Sequence, residues 1–458
     1  MKKLLGSDIA DASKLVKASA HPARLKVLSL LAEGPVEFAA LQDGVGLSKT
    51  ALANHLNQMV RMGLVERHGR GSYRLSEDGA QLLGAISGFY AGSKARARDS
   101  SERMAEQYSR SYGGRKMNGE KLVSMDVRYQ PCWLSYTGAV AGALTAMGKK
   151  VDVTDVGGYT GYAFILNVFK GPPCPSGPTA LKEGFAEIHK GTERLGFKLR
   201  FMGDEKSFTK QGAPLKPEDY ERARRLFEQV KKEIDADRPV VLWGLVVPEY
   251  GIVKGYKGDS YLVSTFRSHL VSTYKDVISQ NEDPIRFDEL DAPGCLEAIG
   301  FGKESTPMTE KDDRDALARA IRMASGEAET FKGYANGPEA YEEWAKGLEA
   351  SPKGPRVYHG NSYVGACYHE GRSVASAFLG RLAKRYAGKP QAEHLKKASA
   401  EYAKAAERLS AFEKLFPFAP QGEMPADKCH KGAALLRGAR PCEEAAIAHM
   451  RKAHEEWK

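Results

Sequence analysis

Residues 47–79 read LSKTALANHLNQMVRMGLVERHGRGSYRLSEDG. Ser48 has the chemistry of an N-cap, and Leu52, Leu56, Met59 and Val60 recur at helical spacing, so a helix is expected from Ser48 to a stop at Gly63. Its opposite face carries Ser48, Lys49, Thr50, Asn54, His55, Gln58 and Arg61. Two short apolar-polar runs, 64–67 and 72–75, then flank Gly69-Arg70-Gly71, which is a hairpin signal. Arg67, His68, Arg70 and Arg74 crowd this ribbon. A polar helix face followed by a basic β-ribbon is the arrangement from which the rest of the N-terminal quarter is read.

Upstream, apolar residues at Ile9, Ala12, Leu15 and Val16 predict a first helix. His21-Pro22 breaks it and opens a second, carrying Leu25, Val27, Leu28, Leu30 and Leu31 and stopping at Gly34-Pro35. A short helix is expected over 36–43, with Gly44 and Gly46 making the turn. Downstream, residues 79–112 are mostly helical in pattern and end at Gly113-Gly114. Charge marks the same segment. The chain of 458 residues has a net charge of +10, and residues 1–116 hold +7 of it, from 18 basic and 11 acidic side chains. One basic module joined to a near-neutral body is the expectation, and the module is expected to meet an anionic partner.

The strings HPARLKVLSLL and LSKTALANHLNQMVRMGLVERHGRGSYRLSEDG resemble the winged helix-turn-helix domain of the ArsR-type repressors. The resemblance implies that the second string is a recognition helix plus wing that binds double-stranded operator DNA. Ser48, Lys49, Thr50, Asn54, His55, Gln58 and Arg61 are then placed on the helix, and Arg67, His68, Arg70 and Arg74 on the wing, where arginine reaches phosphate or the minor groove. Many members of that family sense metal through cysteines in the preceding helix. Here VEFAALQDGVG contains none, so that metal site is absent.

The body alternates strand-like and helix-like pieces from 119 to 295 and is helical from about 307. Three strings, QPCWLSYTGAVAGALTAMG, GGYTGYAFILNV and RPVVLWGLVVPEYGIVKGYKGDSYLV, resemble the butirosin-biosynthesis acyltransferases and, more distantly, the papain-like peptidases that process double-glycine leaders. In those folds a cysteine opens a buried helix and a histidine follows on a strand. The resemblance puts Cys132 at the nucleophile position and Glu249 near the histidine position, so the frame is kept and its base is lost. A carboxylate beside a thiol raises the thiol pKa. Trp133, Tyr159, Tyr162, Trp243, Glu249 and Tyr250 then offer, with Cys132, aromatic walls and one acid, a composition suited to an amphipathic or cationic small molecule. His359 and Tyr363, in VYHGNSYVGACYHEG, are expected to reach the same pocket from the helical tail.

The fold class read from this order is α+β: a winged helix-turn-helix (1–84), a helical linker or dimerisation helix (85–116), a central papain-like α/β domain (117–300) and a C-terminal helical region capping it (301–458). Helices are expected over 132–147, 217–234, 312–331, 338–350, 362–386, 391–416 and 431–457, and strands over 162–168, 240–247, 251–253 and 260–265. No cofactor is expected. The six cysteines form no CxxC pair, the N-terminal stretch lacks the apolar run of a secretory signal, and the longest apolar run, 240–248, falls short of the ~20 residues that span a bilayer. These features point to a cytoplasmic one-component transcription regulator, a homodimer that senses a small effector. The competing expectation is an active cysteine acyltransferase, amidase or peptidase with Cys132 as nucleophile.

Overall fold

The computed structural model describes residues 19–32, 34–91, 119–182, 185–208, 215–245, 247–267, 284–350, 355–419 and 422–457. The chain forms two compact units, residues 1–114 with 212–214 and residues 115–211 with 215–458. The expected helix at 9–16 and most of the 85–116 segment lie outside the described residues.

In the first unit, helix α1 (Pro22–Leu31) starts at His21, whose Nδ1 accepts from the amide of Ala23 at 3.2 Å. Strand β1 (Val36–Glu37) and helix α2 (Phe38–Val45) replace the single short helix expected at 36–43, because Val36 and Glu37 pair with Tyr73 and Ser72 as the third strand of the wing. Helix α3 (Lys49–Arg61) follows, with Ser48 capping the amide of Ala51 at 3.3 Å. Strands β2 (Val65–Arg67) and β3 (Ser72–Leu75) form the hairpin, and helix α4 (Glu77–Ala91) closes the unit. Gly69 and Gly71 both have left-handed φ, 71° and 83°, which the tight wing turn requires and a side chain would disfavour. Val27, Leu28, Leu31, Leu41, Leu52, Leu56, Met59, Leu64 and Val65 make one buried core from every element before α4 except β1 and β3.

The second unit is built on a seven-stranded antiparallel sheet. Its strands are β4 (Glu120–Leu122), β6 (Phe197–Asp204), β7 (Val240–Trp243), β8 (Tyr250–Lys257), β9 (Ser260–Ser264), β10 (Ile285–Arg286) and β11 (Leu296–Glu304), in the order β10-β9-β8-β7-β11-β6 with β4 beside β8. A separate ribbon pairs β5 (Asn167–Phe169) with β12 (Tyr334–Asn336). The 162–168 stretch is therefore a 3-10 turn at Tyr162–Phe164 followed by a strand displaced toward its end. The 240–247 run stops at Trp243, because Gly244 turns with φ 82°. A boundary at residue 300 falls inside β11, so the sheet and the helices after it belong to one unit.

Helix α5 (Ser135–Ala146) is buried from Ser135 to Leu144, which its run of Ala, Gly and Val permits. A Cβ on Gly142 would stand 2.2 Å from the carbonyl oxygen of Arg128, so the chain before the helix runs tight against it. Among helices α6 (Val153–Tyr159), α7 (Ala186–Thr192), α8 (Pro217–Asp235), α9 (Glu310–Ala324) and α10 (Glu339–Glu349), α7 and α8 pack on the sheet and α10 on the ribbon, while α6 and α9 pack on other helices. Three long helices, α11 (Pro355–Arg385), α12 (Pro390–Leu415) and α13 (Ala426–Glu456), pack side by side. Trp344, Tyr368, Leu409, Phe412 and Leu436 fill their core. Within this helical body Arg372 and Glu443, neither exposed to solvent at all, pair at 3.0 Å, and Arg372 also donates to the carbonyl of Ile165 at 2.7 Å. Among the described residues no helix is long and apolar enough to cross a membrane.

Candidate functional site

Each unit presents a candidate site. On the first, Lys49, Thr50, Asn54, Gln58 and Arg61 of α3 are all exposed, as is the cap Ser48, whereas Leu52, Leu56 and Met59 on the other side are buried. The 3.6-residue period places 50, 54, 58 and 61 along one face. His55 is placed differently. It is half-buried against His21, ring centroids 4.6 Å apart, and burial with the nearby His21 and Arg24 lowers its pKa. On the wing, Arg67, His68 and Arg70 are exposed at the tip. Arg74 lies opposite Glu66 in register and is tied to it at 2.7 Å, so part of its charge is already neutralised.

On the second unit, a cleft of about 1410 Å³ opens where the sheet meets α5, α7 and the helical body. Trp133, Tyr162, Trp243, Glu249, Tyr250, His359 and Tyr363, all expected pocket residues, line it. Trp243 and Tyr250 are partners across β7 and β8, their ring centroids 4.8 Å apart. Ser135, the first residue of α5, accepts the amide of Tyr250 at 3.0 Å and also bonds the Glu249 carboxylate. Tyr363 of α11 donates to Glu249 Oε1 at 2.5 Å. These two hydroxyls favour the anion, yet burial outweighs them and raises Glu249 to about 7.

A second carboxylate lies on the same lining. Glu297 of β11 accepts from Tyr250 Oη at 2.8 Å, and His189 Nε2 stands 3.6 Å from it. Glu297 was not singled out from sequence, and neither was Phe418, whose ring packs 4.8 Å from that of Trp133.

Cys132 and Tyr159 do not line the cleft. Tyr159 is turned into a buried network, donating to Asp313 at 2.5 Å, with Arg385 and Tyr386 on the same carboxylate. Cys132 is 3% exposed and precedes α5 rather than opening it. Its thiol bonds the Glu370 carboxylate, which also takes the amide of Trp133, and the Cys367 thiol is close by. Burial, Glu370 and Cys367 push the Cys132 pKa well up. Glu370 itself is raised by burial to about 7. Tyr129 donates to the carbonyl of Cys132 at 2.6 Å. None of these partners is a histidine. His369 instead sits 2.7 Å from Glu413, and His359 Nδ1 lies 3.3 Å from the carbonyl of Ala419. Among the described residues no group of three or more His, Cys, Asp or Glu side chains is placed to hold a metal ion.

The first unit carries a helix-turn-helix domain. Residues 20–68 match the family model described as a helix-turn-helix domain. Among solved structures, the chain is similar to the transcriptional repressor BigR from Xylella fastidiosa, at 26% identity over 20% of this chain and 96% of that one, with a TM-score of 0.18. It is similar also to HlyU from Vibrio cholerae, at 29% identity over 19% of this chain and 97% of that one, with a TM-score of 0.18. No curated protein matches the chain.

Proposed function

We propose that this protein is a one-component transcription regulator of ArsR type, cytoplasmic, that binds double-stranded operator DNA as a homodimer and senses a small effector in its second unit. The observation that carries the reading is the exposed row of Thr50, Asn54, Gln58 and Arg61 on α3, with exposed Lys49 at the start of the helix and exposed Arg67 and Arg70 on the wing. A helix with such a face enters the major groove and reads base edges, and a basic wing holds phosphates. Two-fold symmetry follows from the half-site logic of helix-turn-helix proteins. The segment 85–116 joins the units in sequence and is assigned to carry the signal and the dimer contact.

The second unit is read as a papain-like frame turned to sensing. The acid-flanked, inward-facing thiol of Cys132 supports this reading over catalysis, since a nucleophile needs its thiolate stabilised and a base within reach. The cleft supports it too, being roomy and lined by aromatic rings with a few buried polar groups among them.

Selection of the full chain against a random duplex library tests the DNA half. Enrichment of a two-fold symmetric sequence, with affinity for it reduced about ten-fold or more in Lys49→Ala or Arg70→Ala, is expected. Recovery of no preferred duplex overturns it.

A further inference from the structure

We infer that the cleft of the second unit is built for an organic cation, a protonated amine or quaternary ammonium carried on an apolar body. This rests on the reading of the cleft as an effector site and adds the class of the effector. Two carboxylates on the lining, Glu249 and Glu297, have no cationic side chain hydrogen-bonded to them: Glu249 is held by the hydroxyls of Ser135 and Tyr363, and Glu297 by that of Tyr250 with His189 nearby. Of the other acids of the lining, Glu205 is exposed to solvent. Glu193 is paired with Lys198 at 2.7 Å and Asp204 with Arg222.

Rings cluster about Tyr363, the hydroxyl partner of Glu249. Trp133 meets Tyr363 edge-on with centroids 6.2 Å apart and Phe418 at 4.8 Å, and His359 packs 6.2 Å from Tyr363. A ring face attracts a cation and an adjacent carboxylate neutralises it, so acid and rings favour the same head group. Farther out, Phe201 and Phe331 line the cleft while 55% and 52% exposed, an apolar surface that a ligand body would cover. The cations of the lining fit the same view. Lys182 is paired with Glu329 and Lys190 with Glu187, both at 2.6 Å. Arg267 is the lining cation that would favour an anion instead, and it supplies the rival outcome of the test.

The test compares three probes of one shape, 4-phenylbutylamine, 4-phenylbutan-1-ol and 4-phenylbutyrate, by calorimetry on the full chain at pH 8. The amine is expected to bind about ten-fold or more tighter than the alcohol, with the butyrate weakest. Glu249→Gln and, separately, Glu297→Gln are expected to shrink that preference while the alcohol still binds, which shows that the cleft remains folded. Tightest binding by the butyrate, equal binding of all three, no binding of any at millimolar concentration, or a preference untouched by both substitutions overturns the inference. A head-group preference with no effect on DNA affinity upholds this inference and removes the sensor role. A DNA response to the alcohol as strong as to the amine overturns the inference and leaves the sensor role standing.

Discussion

Tyr363 Oη donates to Glu249 Oε1 at 2.5 Å, joining a helix of the C-terminal body to the start of β8 across 114 residues of chain. Removing that donor leaves a partly buried carboxylate with Ser135 alone. Tyr363→Phe is expected to raise the Glu249 pKa above about 7 and to destabilise the second unit by about 1–2 kcal/mol, read by carboxyl-region infrared titration and urea unfolding.

Glu249 and Glu370 have pKa values raised from the ordinary 4.5 to about 7. A carboxyl raised on folding binds more protons in the native state, so its stability is complete below pH 4.5 and is lost as pH rises from 4.5 to 7. Glu370→Gln keeps the shape and removes the titration. Its melting temperature is expected to fall less than that of the parent protein between pH 5 and pH 8, and an equal fall would show that Glu370 does not titrate as described.

The Cys132 thiol is buried and faces a carboxylate and a second thiol. Native protein at pH 8 is expected to alkylate at Cys132 with iodoacetamide at least ten-fold more slowly than the same protein in urea, followed by mass spectrometry of the peptide. Labelling as fast as in urea would restore the enzyme reading.

Arg372 and Glu443 form a fully buried pair with the Tyr341 hydroxyl donating to Glu443 at 3.1 Å. Glu443→Gln strands a buried guanidinium and is expected to cost about 3–5 kcal/mol in urea unfolding. Replacing both with methionine is expected to recover most of that loss, because two desolvated charges disappear together.

What was legible in the sequence follows from how local each signal is. The recognition helix and wing lie within 33 consecutive residues, and cap, apolar stripe and glycine turn each act over a few positions. The aromatic walls were legible as residue types near one strand pair. Glu370 and Glu297 were not, since a bond such as that from Trp133 to Glu370 spans 237 residues and leaves no spacing to read. Strand β11 went unread because LEAIGFGKE carries two glycines and two glutamates, which weaken a strand pattern; the sheet on both sides imposes it, β7 pairing at Ala298 and Ile299 and β6 along most of its length. His55 sat on the polar face by spacing alone, and only the packing of His21 from α1 shows where its ring goes.

In the proposed regulator the first unit holds DNA, and filling the second unit's cleft changes how tightly. Fluorescence anisotropy of the duplex enriched by selection, with full-length protein at fixed salt and with 4-phenylbutylamine added until the fluorescence of Trp133 and Trp243 stops changing, measures both at once. Nanomolar-range binding that shifts at least five-fold when the cleft is full is predicted, with about ten-fold more amine needed for the same shift in Glu249→Gln. An affinity unchanged at saturation would contradict it.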